Sequence, residues 1–301
     1  MPRYLITSSN REEGGVYLAD SSTGHVKRVM SGSFRGMTLG PDGCYYVVSG
    51  YRDPQEGESV VHRLDLQTWK TEEVARYPLG DCHDLMWHDG YFYLVASVGN
   101  QVVRLDEQCR MVDRFQVIED DRDVCHPNCL TVIDGEIYLS IFTLSPGERK
   151  EKRFTGAWHR SGKILKLDWE RKKWEVRFEP LAQPHSLIPR DGGIYLVESH
   201  TSSLTWVDLQ NHKAKHLGQY RGFLRGLAFG PDELAVGACL LQIRDRARLK
   251  TLPLFRRIYD KFFPFSGLLV LDSRTWKVKR KIPIPGSDIY DVRLLDGAPS
   301  A

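Results

Sequence analysis

Along the chain, β-branched, aromatic and other apolar residues gather in short runs that alternate with polar positions and end on turn residues. Six of these runs close on an aspartate: VYLAD at Asp20, VHRLD at Asp65, VVRLD at Asp106, ILKLD at Asp168, LTWVD at Asp208 and LLVLD at Asp272. A polar turn follows each, such as SSTG, LQT or SRT, and then a second short strand such as HVKRV, WEVRF or WKVKRKI. A further pattern precedes most copies: a strand, an Asp-Gly-like turn and an aromatic-rich strand. It reads RGMTLGPDGCYYVVS (35–49), HDLMWHDGYFYLVAS (83–97), NCLTVIDGEIYLSIF (128–142), HSLIPRDGGIYLVES (185–199) and RGLAFGPDELAVGA (225–238). Asp-Gly suits short hairpins because the turn needs positive φ.

Each repeat therefore predicts four antiparallel strands, A to D, and a period of roughly 40–65 residues, which is the size of a β-propeller blade. The sixth blade is split. The C-terminus supplies strand A in DIYDVRLLDG (288–297), and the N-terminus supplies YLITSS, GGVYLAD and HVKRV. One C-terminal and three N-terminal strands close the ring and remove its free edges. The expectation is an all-β, six-bladed β-propeller. A sandwich pair and a seven-bladed ring are the competing architectures. With no Pro-, Gly- or Ser-rich linker, residues 1–301 are expected to form one domain.

Composition narrows the setting. The chain has 301 residues, is 41% apolar and 27% charged, and carries a net charge of +3. That excludes a disordered chain. No run of about 18 apolar residues predicts a membrane span. The N-terminus MPRYLITSSN has no signal-peptide core, and six cysteines without framework spacing fit a reducing compartment. A cytoplasmic location is expected, and the balanced charge gives no case for nucleic-acid binding.

Strand A is the innermost strand, so its start faces the central channel. Aligned on the Asp-Gly turn, the first strand-A positions are Arg35, His83, Asn128, His185, Arg225 and Tyr290. His126 lies two residues before Asn128, and residues i and i+2 of a strand point to the same side, so His126 is expected to face the axis as well. The following positions, Gly36, Asp84, Cys129, Ser186, Gly226 and Asp291, are small or acidic and are expected to face sideways or to support the first ring. His83, His126 and His185 converging from three blades suit a divalent transition metal such as Zn, Mn, Fe or Cu. Asp84 and Asp291 are placed to orient a histidine through its second ring nitrogen. An anion pocket without metal and a water-filled structural channel compete with this reading. Cys82 and Cys125, next to two of the histidines, are expected to pack between blades, with thiolate ligation as the alternative.

Two long B–C connections interrupt the repeats. Residues 143–161 carry a net +3 and residues 240–266 a net +5. Together they hold +8, which leaves −5 on the rest of a chain whose total is +3. B–C connections emerge where strand A begins, so both inserts are expected as lids over the histidine-lined mouth. Within the second, Pro253 suits a helix start, and Leu254, Phe255, Ile258, Tyr259 and Phe262 form one apolar stripe. A lid helix, a membrane-surface helix and a protein-docking face all fit that stripe.

The segments DCHDL (81–85), CHPNCL (125–130), QPHSLIP (183–189) and LRGLAFGP (224–231) together resemble a bacterial six-bladed propeller family of unknown function. Two departures from its pattern are Cys129 in place of a glycine and Leu187-Ile188 after the His-Ser pair. The resemblance implies the propeller fold and a site at His83, His126, Asn128, His185 and Arg225, and no particular activity. In architecture alone the chain is similar to gluconolactonase-like and strictosidine-synthase-like propellers, whose acidic and asparagine metal ligands it does not reproduce. A histidine-rich metal site in a propeller channel is also found in oligogalacturonate lyase.

These readings define the expected function: a metal-dependent lyase, isomerase or hydrolase acting on a small anionic molecule. His83, His126 and His185 hold the metal. Arg35, Arg225 and Asn128 bind substrate, and Tyr290 and Asp84 move protons. The alternative is a non-catalytic binding module that offers 240–266 to a protein partner or membrane surface.

Overall fold

A computed structural model describes residues 2–9, 13–50, 57–144, 160–239, 265–286 and 288–295. They contain no α-helix. They form six four-stranded antiparallel sheets. The innermost strands are Phe34–Leu39, Cys82–His88, Leu130–Ile133, Pro184–Arg190, Phe223–Phe229 and Ile289–Leu294. Each lies beside the inner strands of the blades before and after it, and the cycle closes from Ile289–Leu294 back to Phe34–Leu39. This is a six-bladed β-propeller. The sixth blade is composite, as expected: Ile289–Leu294 pairs with Arg3–Ser8, which is followed outward by Gly15–Asp20 and Val26–Ser31. Most of residues 143–161, and 240–266 with its expected helix, fall outside the described residues.

The alternation of each strand has a physical purpose, because both faces of every blade pack against a neighbour. Six buried apolar clusters result, one at each interface. The ring-closing one joins Leu5 and Val16 to Phe34, Met37 and Val47. Cys82 and Cys125 lie in two of these cores, between blades. The recurrent aspartate has a local role. Asp20, Asp65 and Asp208 accept the amide two residues on, at 2.8, 2.7 and 3.0 Å, and so fix the turn between strands C and D.

The inner strands share a feature that alternation did not predict. The pairing of strand A with strand B slips between Phe34 and Met37, Cys82 and Asp84, His185 and Ile188, Arg225 and Leu227, and Ile289 and Val292. A bulge of this kind places an extra residue opposite one partner and re-aims side chains. Asp84, Ser186 and Asp291 consequently line the same cavity as His83, His185 and Tyr290, and Cys129 lines it beside Asn128. The second residues are therefore part of the channel wall rather than turned aside.

They also latch the blades. Asp84 Oδ2 accepts the Leu130 amide of the next blade at 2.8 Å, and Asp291 Oδ2 accepts the Met37 amide at 3.2 Å. Cys129 Sγ accepts the Ser186 amide at 3.2 Å, and Ser186 Oγ accepts the Gly226 amide at 2.8 Å. Where the position is glycine, the next backbone moves in directly. A methyl on Gly36 would lie 2.6 Å from the Leu85 amide, and one on Gly226 would lie 3.1 Å from the Val292 amide.

Candidate metal and anion site in the channel mouth

The first ring residues form a closed circuit of side chains. Tyr290 lies 5.7 Å from His83 between ring centroids, and His83 lies 4.7 Å from His126. His126 meets Phe142 at 4.4 Å, Phe142 meets His185 at 5.3 Å, and His185 meets Phe223 at 5.8 Å. Arg225 then spans Phe223 at 4.9 Å and Tyr290 at 4.1 Å, and Arg35 also lies against Tyr290 at 5.2 Å. Phe142 and Phe223, which sequence reasoning passed over, are the walls on either side of His185. Their signal in the sequence was position: Phe142 ends strand B of its repeat and Phe223 opens an inner strand.

Among the described residues, Asp81, His83 and His126 bring one ligand atom each to within 4.8 Å of one another. His83 Nε2 stands 3.2 Å from Asp81 Oδ2, and Arg35 pairs with the other carboxylate oxygen. Burial pushes the Asp81 carboxyl toward a higher pKa, but Arg35 and His83 outweigh it and hold the carboxyl well below its usual range. Burial pulls His83 down to about 3, so its imidazole is neutral at pH 7, the form that binds metals. His126 Nδ1 faces Asp123 Oδ2 at 2.8 Å, which fixes the ring and leaves Nε2 for a ligand. The donor set of two imidazoles and a carboxylate fits a first-row divalent ion. The Arg35 charge on Asp81 weakens that carboxylate as a ligand.

His126 reaches this cluster by a route different from the expected one. The inner strand begins only at Leu130, and His126 sits in an irregular segment with φ of +49°. That segment is clamped by the fully buried Asn100. Its Oδ1 accepts the Val124 and Cys125 amides, each at 2.8 Å, and its Nδ2 donates to the Asp120 and Arg122 carbonyls at 2.7 and 2.6 Å. Strand periodicity thus does not account for the place of His126 in this cluster.

His185 stands across Phe142 from the cluster and is not among the three residues that converge. Ser199 Oγ lies 2.6 Å from its Nδ1, and the Gln183 carbonyl lies 3.1 Å away. Ser199 spends its own proton on the Leu224 carbonyl at 2.5 Å. Both neighbours therefore accept, Nδ1 carries the hydrogen, and Nε2 presents a lone pair. Nε2 is buried without a hydrogen-bond partner. Burial, reinforced by Arg225, drives the imidazole well below its ordinary value.

Asp84 and Asp291 do not orient histidines. Asp84 accepts the Leu85 and Leu130 amides, and Asp291 accepts the Met37 and Val292 amides and two bonds from Arg293. Burial and the neighbouring Asp291 push Asp84 up to about 7, and burial raises Asp291 against the pull of Arg293. The carboxylates that touch the histidines are Asp81, a member of the cluster itself two residues before His83, and Asp123, which orients His126 from three residues before it. Such short spacings are visible in the sequence once the histidines are chosen.

Fold and site together define a six-bladed propeller with a histidine- and arginine-lined channel. Residues 70–301 match the family described as a domain of unknown function, DUF4915, and the chain belongs to that family. No curated protein matches it significantly. Among solved structures it is similar to a chain in the crystal structure of a nidogen/laminin complex, with 9% identity, a TM-score of 0.67 and 98% of each chain covered. At that identity the likeness concerns the fold alone. No helix among the described residues is long and apolar enough to cross a membrane.

Proposed function

We propose that this protein is a divalent-transition-metal-dependent enzyme acting on a small anionic molecule at the mouth of its channel. The observation that carries the reading is the convergence of Asp81, His83 and His126 within 4.8 Å. Asp81, absent from the sequence-based ligand set, joins two of its three histidines. A metal there would supply Lewis acidity for a lyase, isomerase or hydrolase reaction. Arg35 and Arg225 supply positive charge for the anion, and Asn128 an amide donor. Tyr290, which carries both Arg35 and Arg225 against its ring, and Asp84, raised to about 7 by burial and the neighbouring Asp291, are the groups we assign to move protons. His185, with its buried and unpartnered Nε2, serves as a base or as a further ligand. All six cysteines are free, which suits the reducing cytoplasmic setting we assign.

The test is metal content and metal-linked stability. Protein purified without added metal, then titrated with Zn, Mn, Fe(II) or Cu, is expected to bind one ion and to melt higher when loaded. Asp81→Asn and His126→Ala should each lower the affinity by at least tenfold. Failure of every metal to bind stoichiometrically overturns the proposal.

A further inference from the structure

The channel residues include several buried nitrogens with no hydrogen-bond partner among the described residues: Arg35 Nε, His83 Nδ1, Asn128 Nδ2, His185 Nε2, and Arg225 Nε and Nη1. Both arginines stand outside the wall of the central cavity, whereas His83, Asn128 and His185 all border it. Those three are 5, 2 and 2% exposed. Asp84, Cys129, Ser186 and Asp291 share that wall, but each already accepts a backbone amide. A buried polar atom left without a partner is costly. The partner of His83, Asn128 and His185 must therefore come from the cavity they share.

The hydrogens of the two imidazoles decide what that partner has to offer. Asp81 is ionised and faces His83 Nε2 at 3.2 Å, so without metal Nε2 carries the hydrogen and Nδ1 a lone pair. His185 carries its hydrogen on Nδ1, towards Ser199 and the Gln183 carbonyl, and its lone pair on Nε2. Asn128 Nδ2 donates. Two lone pairs and an N–H are the complement of a water molecule, and buried waters typically make about three hydrogen bonds. The cavity has a volume of about 30 Å³. One water needs roughly 10–15 Å³, so the space takes about two waters and no organic ligand.

We propose that a water bridge in this cavity joins His83 Nδ1 to His185 Nε2, with one amide hydrogen of Asn128 donated to it, and that His185 and Asn128 are thereby positioning residues for the metal cluster. Phe142 stands between the His126 and His185 rings, so His185 reaches the cluster through the cavity rather than by direct ligation. The bridge works in both states of His83. Without metal, the water gives its hydrogens to both imidazoles. With metal on the side that faces Asp81, Nε2 gives up its hydrogen and Nδ1 carries one. The water then accepts from His83 and Asn128 and donates to His185. The bridge thus supplies the outer partner that a metal-ligating imidazole ordinarily has, and holds the tautomer that ligation needs. Its effect on the metal rests on the proposed function; the bridge itself does not.

The experiment pairs an atomic-resolution crystal structure of the metal-free, full-length protein with competition titrations for Zn. The crystal is expected to show ordered water bonded to His83 Nδ1, Asn128 Nδ2 and His185 Nε2. His185→Phe keeps a ring and removes the acceptor, and Asn128→Leu removes the donor. Each should lower the Zn affinity by about tenfold or more, as for other outer partners of a ligand. His185→Gln, which restores an acceptor, should recover part of that loss, a rescue that a purely packing role would not give. Circular dichroism and melting show which variants fold, and Asn128→Leu carries the test where His185→Phe does not. A cavity without bridging water, or wild-type Zn affinity in a folded His185→Phe or Asn128→Leu protein, overturns the proposal. Bridging water in a wild type that takes up no metal leaves the bridge standing and removes only the metal reading.

Discussion

Ser199 Oγ sits 2.6 Å from His185 Nδ1 and passes its own hydrogen to the Leu224 carbonyl at 2.5 Å, in the neighbouring blade. The direction of that relay determines which nitrogen of His185 faces the cavity with a lone pair. It predicts a single tautomer, protonated at Nδ1 and neutral well below pH 6.5, because burial and Arg225 both oppose the imidazolium. Nitrogen-detected NMR of the ring is expected to show that tautomer unchanged down to about pH 5. A His185 resonance that titrates near 6.5 contradicts the relay.

Asn100 is a positioning residue for the metal cluster, since its four side-chain bonds hold the segment that carries His126. Its φ of +50° is left-handed, so Asn100→Gly removes the bonds without forcing the backbone. Losing several buried partners should cost about 3 kcal/mol of stability in a denaturant titration. In the folded variant, metal affinity should fall by about 10- to 100-fold, as for other outer partners of a ligand. Wild-type affinity in a folded variant would show that His126 is seated without Asn100.

The blade latches predict where glycine is required. A methyl on Gly36 presses on the Asp84 backbone, so Gly36→Ala should destabilise by about 1–3 kcal/mol through overpacking. Gly226→Ala meets Val292 at 2.7 Å and is also at φ of +71°, so it should melt lower still. Gly43→Ala, in an open turn at φ of +77°, carries only the backbone penalty of about 1 kcal/mol. The expected order of melting temperatures is Gly43→Ala, Gly36→Ala, Gly226→Ala, from highest to lowest.

The buried pair Asp84 and Asp291 gives a pH dependence with a definite sign. Both titrate above the ordinary value of 3.8, Asp84 at about 7. Between those pH values the folded protein keeps protons that the unfolded chain has released. This contribution is therefore full at the acid end and declines as pH rises toward 7. Asn at position 84 cannot ionise. The melting temperature of metal-free Asp84→Asn, relative to wild type, should climb steadily from pH 5 to pH 8. A flat difference would place the charge of Asp84 at no cost in the fold.

What the chain alone determined is its periodic architecture. The six aspartate-closed runs, the Asp-Gly hairpins and the split ends prescribe strands, turns and ring closure through short-range chemistry, and alternation prescribes two buried faces per blade. The positions of Arg35, His83, Asn128, His185, Arg225 and Tyr290 followed from the same alignment, because inner strands in a ring must start at the same mouth. Only the tertiary structure decided how those residues combine. The bulges turned Asp84, Ser186 and Asp291 into the channel. The Asn100 clamp bent His126 toward His83, and Phe142 separated His185 from them. Arg35 gained a carboxylate while Arg225, in the equivalent place, gained two aromatic faces and no acceptor. Each of these outcomes depends on contacts between blades, whose register and distance are not encoded in the spacing of residues within one blade.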